Sequence, residues 1–307
     1  MTADDHLVRA RPDDLLGHVR ESLAAAGGSP WLAVHAQADP PEGAWHGRDE
    51  LLARADELVR ATVTANPGVD PRLVWRLLPS RMAWPLAFTA VGLLDATGRL
   101  PRIDPAGVRL RVAIDEDGAG IDGLWISEAA LLVPADDPLA ARPDPRVRVA
   151  GRAERVAALA ADLTAFMEPA VALAREGARA GAPALWASVA DCLVGGLAAP
   201  RPDDAGPHDQ RTRVAAVMDG CAGTPLARRV RWTGYAHEGA EHATMRHCAC
   251  CLAYRWPGAP PDPPRPDGLD PRWDRYCDAC PLLPDAEVAH RARHRLDAAG
   301  RNPAPAG

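Results

Sequence analysis

Five of the seven cysteines in this 307-residue chain lie in two short clusters near its carboxy terminus. Cys248, Cys250 and Cys251 fall within the stretch HCACCLAYRW, and Cys277 and Cys280 form a Cys-x-x-Cys pair downstream. Metal–thiolate sites need several soft ligands from short backbone segments, and a Cys-x-x-Cys pair readily puts two sulfurs on one metal. The pattern therefore predicts that the two clusters meet and bind a metal centre.

The adjacent pair Cys250 and Cys251 bears on the identity of the metal. The paired ligands of a zinc finger are usually two to four residues apart, so neighbouring cysteines fit a zinc knuckle poorly. A binuclear iron–sulfur cluster is wider, and adjacent sulfurs that point apart can both serve it. The residues thus favour iron–sulfur, with zinc as the alternative. The odd cysteine count fits poorly with disulfides, and the acidic start MTADDHLVRARPDD does not resemble a signal peptide, so we expect a cytoplasmic protein.

Charge and composition disfavour other classes of function. The formal net charge is −6 and no basic stripe is visible, so nucleic acid is not expected as a partner. The most apolar stretch, residues 82–94, contains Pro85 and is shorter than the roughly 20 residues of a membrane span, so no span is expected. The sequence lacks a phosphate-binding loop and a nicotinamide or flavin fingerprint. Any redox activity would therefore need a separate electron donor.

Apolar periodicity predicts a mainly α fold with a small antiparallel β element, of the α+β class, followed by a compact carboxy-terminal iron–sulfur segment. Most of the first two hundred residues have the spacing of amphipathic helices. Pro183 suits the start of a helix, whereas Pro169 should kink or split one. Between the helices, apolar residues alternate and then resume after a Gly-rich turn, which predicts a β-hairpin near 107–127. The alternating residues are Val108, Leu110, Val112, Ile114, Leu124 and Ile126.

These patterns divide the chain into three parts. Residues 1–234 are expected to form a mainly helical domain. Residues 235–285, in which apolar periodicity fades, should form the cluster-binding segment with a Pro-rich surface insertion from Ala259 to Tyr276. Residues 286–307 should form a short helix and a disordered tail.

Around these cysteines the sequence resembles the FhuF-like ferric-siderophore reductases. Their signature is a vicinal Cys-Cys followed by Leu, an aromatic residue and Arg, and then a later Cys-x-x-Cys. The stretches RMAWPLAFTAVGLLDATGRLPRIDPAGVRLR and ALWASVADCLVGGLA are also similar to the family's helices and the strand after them. The residues that match the signature are Cys250, Cys251, Leu252, Tyr254, Arg255, Cys277 and Cys280.

The resemblance implies a [2Fe-2S] cluster bound by Cys250, Cys251, Cys277 and Cys280. It also implies an oxidoreductase that passes one electron to a ferric siderophore, most plausibly of the hydroxamate type, and so releases Fe(II). The electron would come from a separate donor protein. The alternative is a non-enzymatic siderophore-binding or partner-binding helical protein with a structural zinc site.

The sequence departs from the family pattern in two ways. The interval between the cysteine pairs is lengthened by the Pro-rich insertion. The longer loop adds roughly 1 kcal/mol to the entropic cost of loop closure, which is small enough to be tolerated. Asp278 follows the third cysteine where the family usually has Gly, and its charge should disfavour the reduced form of an anionic cluster.

Other candidate residues have less specific roles. Cys248 lies outside the signature and is interpreted as a bystander, while Cys192 and Cys221 are expected in the core. A Rieske-type site using histidines is disfavoured because four suitable cysteines are present. Arginines near the cysteines either form a solvated surface or compensate cluster charge, and two tryptophans either shield the cluster or pack the segment. These histidines, arginines and tryptophans are His237, His242, His247, Arg246, Arg255, Arg275, Trp256 and Trp273.

Overall fold

The computed structural model describes residues 15–25, 32–116, 118–128, 130–197, 207–252, 255–256 and 276–301. The fold is 52% helix and 19% strand in small mixed and antiparallel sheets, which confirms the predicted α+β class. The Pro-rich insertion, apart from Tyr276, and the expected disordered tail beyond residue 301 lie outside the described residues.

Helices form most of the described chain. Their bounds are α1 (Leu15–Ala25), α2 (Arg48–Ala53), α3 (Ala55–Ala65), α4 (Pro71–Thr97), α5 (Arg152–Ala178), α6 (Ala182–Gly195), α7 (Pro207–Gly220) and α8 (Asp285–Arg301). The strands are β1 (Ala33–Ala36), β2 (Trp45–His46), β3 (Leu100–Pro101), β4 (Val108–Asp115), β5 (Gly118–Ile126), β6 (Leu131–Val133), β7 (Val147–Val149), β8 (Arg231–His237) and β9 (Ala240–Arg246).

The two longest helices, α4 and α5, form the centre of the core and pack against each other. Asp70 caps α4 by accepting a hydrogen bond from the Arg72 N–H, and Gly98 ends it in the left-handed conformation. Pro169 is predicted to kink or split its helix. A split is wrong, because α5 continues through Pro169, and a kink stays a prediction. The apolar side chains on either side of Pro169, including Phe166 and Val171, are buried, and their packing offsets the lost backbone hydrogen bond.

Both helices are long and apolar enough, by length and composition alone, to cross a membrane. The most apolar window is 67% buried within the fold for α4 and 44% buried for α5. Core helices of globular proteins have the same length and composition, so the expected absence of a membrane span stays a prediction.

The predicted β-hairpin is confirmed as β4 and β5, which pair antiparallel from Val108 opposite Ile126 to Asp115 opposite Gly118. The structure adds neighbours that the sequence did not predict. The sheet has the order β1-β5-β4-β2, and β1 pairs parallel to β5, so the sheet is mixed. A second sheet has the order β3-β6-β7.

A second hairpin, β8 and β9, lies where the sequence suggested that regular structure fades. Its turn residues, Glu238 and Gly239, both have positive φ, as a two-residue hairpin turn of type I′ requires. The expected boundary at residue 235 falls within β8. Met245 of β9 belongs to the main core, so this hairpin joins the helical body to the cysteines.

Candidate metal centre

The two cysteine clusters occupy adjacent loops at the end of the fold. Residues 247–251 directly follow β9, and residues 276–284 lead into α8. The His247 N–H donates to the Ala279 carbonyl at 2.9 Å and links the two loops. A small separate core of Cys280, Leu283 and Val288 lies beneath them, with Cys250 and Cys277 packed against it. The structure therefore brings the two predicted clusters together.

The four predicted ligands contact one another through their sulfurs. The Sγ atoms of Cys250 and Cys280 are 4.0 Å apart. Cys251 and Cys280 are also close enough to the Cys277 thiol to raise its pKa. Two sulfurs on one tetrahedral metal with bonds of about 2.3 Å lie about 3.8 Å apart, so the Cys250–Cys280 spacing is close to that of two ligands sharing a metal. Within the described residues, no group of three or more His, Cys, Asp or Glu side chains meets the geometry for holding a metal ion.

Backbone amides point at two of the sulfurs in the same way. The Leu252 N–H donates to Cys250 Sγ at 3.4 Å, and the Leu282 N–H donates to the sulfur of Cys280. Each donor is two residues after its cysteine. Leu252 reaches this position with φ of 61°, a left-handed conformation that is uncommon for leucine. Amide hydrogen bonds stabilise thiolates and tune iron–sulfur potentials, so these donors suit metal-bound sulfur.

The thiols differ in acidity because they share hydrogen bonds. The bond from the Cys277 thiol is the main cause that lowers the pKa of Cys280 to about 6, and the Leu282 amide adds to it. Donation to Cys251 and Cys280 raises the pKa of Cys277. Burial raises the pKa of Cys250 to about 11. Four converging thiols with amide donors fit a [2Fe-2S] cluster, which would be held by Cys250, Cys251, Cys277 and Cys280.

Cys248 lies in a different environment, beside the buried carboxylate of Asp191 on α6. The Cys248 N–H donates to Asp191 Oδ1 at 2.6 Å, and the Ala249 N–H donates to Oδ2 at 3.3 Å. Burial and the nearby carboxylate raise the pKa of the Cys248 thiol, which keeps it protonated. Its role as a bystander stays a prediction. Cys192 and Cys221 are buried in the main core, as expected.

Arg246, one of the arginines near the cysteines, holds the Cys-x-x-Cys loop in place. Arg246 is 2% exposed and donates to the carbonyls of Cys280, at 3.0 Å, and of Leu283. It also pairs with Asp285 at the start of α8. Arg246 is therefore not a solvated surface residue. Its hydrogen bonds go to two carbonyl oxygens and to the Asp285 carboxylate rather than to the sulfurs. It fixes the Cys-x-x-Cys loop against β9.

The charge of Asp278 is compensated within the same region. Arg295 pairs with it at 2.8 Å, and Arg291 lies 3.7 Å from it. Arg291 is itself buried and donates to the Tyr276 carbonyl at 2.7 Å. Arg291 lies closer to Glu287, at 2.9 Å, so Arg295 is the main partner of Asp278. The expected effect of Asp278 on a reduced cluster should be smaller because of this pairing.

The other candidate residues from the sequence lie in several different places. His237 pairs with Asp297 at 3.4 Å and His242 stacks on Tyr235, both on the second hairpin. His247 lies 3.7 Å from Asp191. Trp256 packs on valines in and near α3 and α4, so it contacts the helical body rather than packing the cluster-binding segment as expected. Tyr254, Trp273 and Arg275 lie outside the described residues.

Three residues that fix the cysteine loops were missed by the sequence analysis. These are Asp191, Arg291 and Arg76, whose Nη2 donates to the Cys250 carbonyl at 3.0 Å from α4. Asp191 carried a sequence signal, because it is the acidic residue within the apolar stretch ALWASVADCLVGG. Arg76 carried none, since its contact spans 174 residues.

Comparison with known proteins gave no relative: no family model matches the chain, and no curated protein matches it.

Proposed function

We propose that this chain is an iron–sulfur oxidoreductase that reduces ferric siderophores, as the FhuF-like resemblance implies. The observation that supports it is the convergence of the four signature cysteines, with Cys250 and Cys280 at 4.0 Å and amide donors on both sulfurs. The cytoplasm, where thiols stay reduced, is the proposed location.

The chemistry needs only one electron per iron released. When bound, a [2Fe-2S] cluster would store and pass on single electrons. A siderophore holds Fe(III) with hard oxygen donors and holds Fe(II) more weakly, so reduction releases the metal without breaking the organic ligand. The four cysteines serve as thiolate ligands, while Arg246 and Asp191 hold the two loops in register. A separate donor protein supplies the electron.

Metal and sulfide analysis of anaerobically purified protein tests the cofactor. About two irons and two acid-labile sulfides per chain are expected, with a red-brown visible spectrum. Cys251→Ser should lose this spectrum, and Cys221→Ser, in the distant core, is the matched control. Stoichiometric zinc in colourless protein, made with ample iron, would instead favour the non-enzymatic alternative.

Anaerobic mixing tests the reaction. Reduced protein is added to a panel of ferric siderophores with a strong ferrous chelator, which draws the reaction forward. Cluster reoxidation and ferrous chelate should appear together. A cluster that stays reduced with every siderophore would refute the reductase function.

A further inference from the structure

A basic cavity of about 300 Å³ adjoins the proposed cluster site. Its lining includes Arg72 and Arg76 of α4, Arg179 at the end of α5, Arg255 and Leu252. Among the described lining residues, the one acidic side chain is Asp70. The cavity thus carries four positive charges against one negative charge, in a chain whose net charge is −6.

Three of these four positive charges, those of Arg72, Arg76 and Arg179, are only weakly neutralised by the protein. Asp70 caps α4 through the Arg72 backbone N–H at 2.9 Å, so its carboxylate is already engaged with the helix end. In the part of the chain that the structure describes, Arg72, Arg76 and Arg179 form no ion pair. Several guanidinium groups that face one cavity without carboxylate partners repel each other, and an anion would relieve that repulsion.

The cavity and the thiols share a wall. Leu252 lines the cavity, follows Cys251 directly and donates its N–H to Cys250 Sγ. Arg76 also lines the cavity and donates to the Cys250 carbonyl. A ligand in this cavity would therefore lie one residue away from the sulfurs that are proposed to bind the cluster.

We propose that this arginine cavity binds the anionic face of a ferric chelate with net negative charge. This inference rests on the proposed function and specifies its substrate class. Three hydroxamates, each carrying one negative charge, neutralise Fe(III), whereas three catecholates, each carrying two, leave the complex at −3. The cavity charge favours the second type over the hydroxamate type that the resemblance suggested. Its volume is at the low end for ligand sites, so it contacts one face of the chelate.

The electron balance is simple. With a cluster bound, the chelated Fe(III) would accept one electron from it and leave as Fe(II), and no bond of the organic ligand would break. The separate one-electron donor would then reduce the cluster again. The arginines hold the chelate against Leu252 during this step.

Binding of redox-inert gallium(III) chelates tests the cavity independently of activity. Ga(III) has the same charge as Fe(III), so tris-catecholate and tris-hydroxamate complexes differ mainly in net charge. By calorimetry, the intact protein should bind the catecholate complex at least about tenfold more tightly, and this difference should shrink as salt is raised. The double variant Arg72→Gln/Arg179→Gln should weaken catecholate binding at least about tenfold. Arg60→Gln, at an exposed arginine of α3 outside the cavity lining, is the matched control.

Either of two results would overturn the inference: equal binding of the neutral and anionic complexes, or unchanged binding in the double variant with an intact visible spectrum. Failure of the proposed function is a separate result. If the reduced protein is reoxidised by ferric hydroxamates while no gallium catecholate binds, the reductase stands and the cavity inference falls. If gallium binding depends on the arginines but no ferric chelate reoxidises the protein, the cavity inference stands and the reductase falls.

Discussion

Replacing Arg246 with methionine tests whether buried hydrogen bonds hold the Cys-x-x-Cys loop. Methionine keeps the apolar stem of the side chain but removes every donor. The carbonyls of Cys280 and Leu283 would then lose a partner inside the protein. The bond to Asp285 counts for less, because that side chain is 69% exposed and solvent screens the pair.

The expected loss of stability follows from these contacts. A buried acceptor left without its donor costs about 1–3 kcal/mol, and the Leu283 carbonyl would be left in this state. The Cys280 carbonyl would keep the Leu283 N–H at 3.3 Å and lose only its second bond, which adds about 0.5–1.5 kcal/mol. Removing a buried guanidinium also relieves its desolvation cost, which offsets part of this loss. We therefore expect Arg246→Met to lower the free energy of unfolding by about 2–3 kcal/mol. Iron should also be released faster to a strong chelator, because the loop that carries Cys277 and Cys280 loses its main attachment to β9.

Urea unfolding followed by circular dichroism measures the first effect, and the decay of visible absorbance measures the second. Arg231→Met is the matched control, because Arg231 pairs with Arg246 across the same hairpin but is exposed. It should change the free energy of unfolding by less than about 0.5 kcal/mol. If the two variants unfold at the same free energy and release iron equally fast, Arg246 does not hold the loop.

Three further predictions follow from other contacts. Cys248→Ser should keep the visible spectrum while Cys250→Ser bleaches it, and equal loss in both would mean that the ligands are wrongly assigned. Burial raises the pKa of Asp191 above its usual 3.8, so the folded protein binds this proton more tightly than the unfolded chain. The contribution of Asp191 to stability should therefore fall as pH rises from 3.8 through the raised pKa. The unfolding free energy of the wild type minus that of Asp191→Asn should fall over the same pH range. A difference that does not change with pH would contradict this. Gly177→Ala should destabilise the protein by about 1–3 kcal/mol, because the added Cβ would lie 2.3 Å from the Trp75 ring. Thermal unfolding measures this, and an unchanged melting temperature would show that the ring moves aside freely.

Local patterns in the sequence predicted the local structure well. The alternation from Val108 to Ile126 gave the first hairpin because neighbouring strands joined by a short turn need no distant information. The second hairpin was missed because its strands carry few apolar residues. Only the turn residues Glu238 and Gly239 could have indicated it.

Contacts between residues far apart in the chain could not be predicted from the sequence. The spacing of the four cysteines predicted that two loops meet, but not what holds them. The parallel pairing of β1 with β5, the bond from Arg76 to Cys250 and the bonds from Asp191 each join residues far apart in the chain. A single sequence records which side chains can form such contacts, whereas the packing of α4, α5 and α6 decides which ones form.

The loop that carries Cys250 is tied to α4 by Arg76 and to α6 by Asp191, so loading of the proposed cofactor would be thermodynamically linked to melting of the helical body. A ligand that binds only the folded chain stabilises it by about 2.7 kcal/mol at a concentration one hundred times its dissociation constant. For a chain of 307 residues, that is on the order of 4 °C in melting temperature. The thermal transition of the whole protein, read from helices that contain none of the proposed iron ligands, would therefore report how much of the sample carries the proposed cluster.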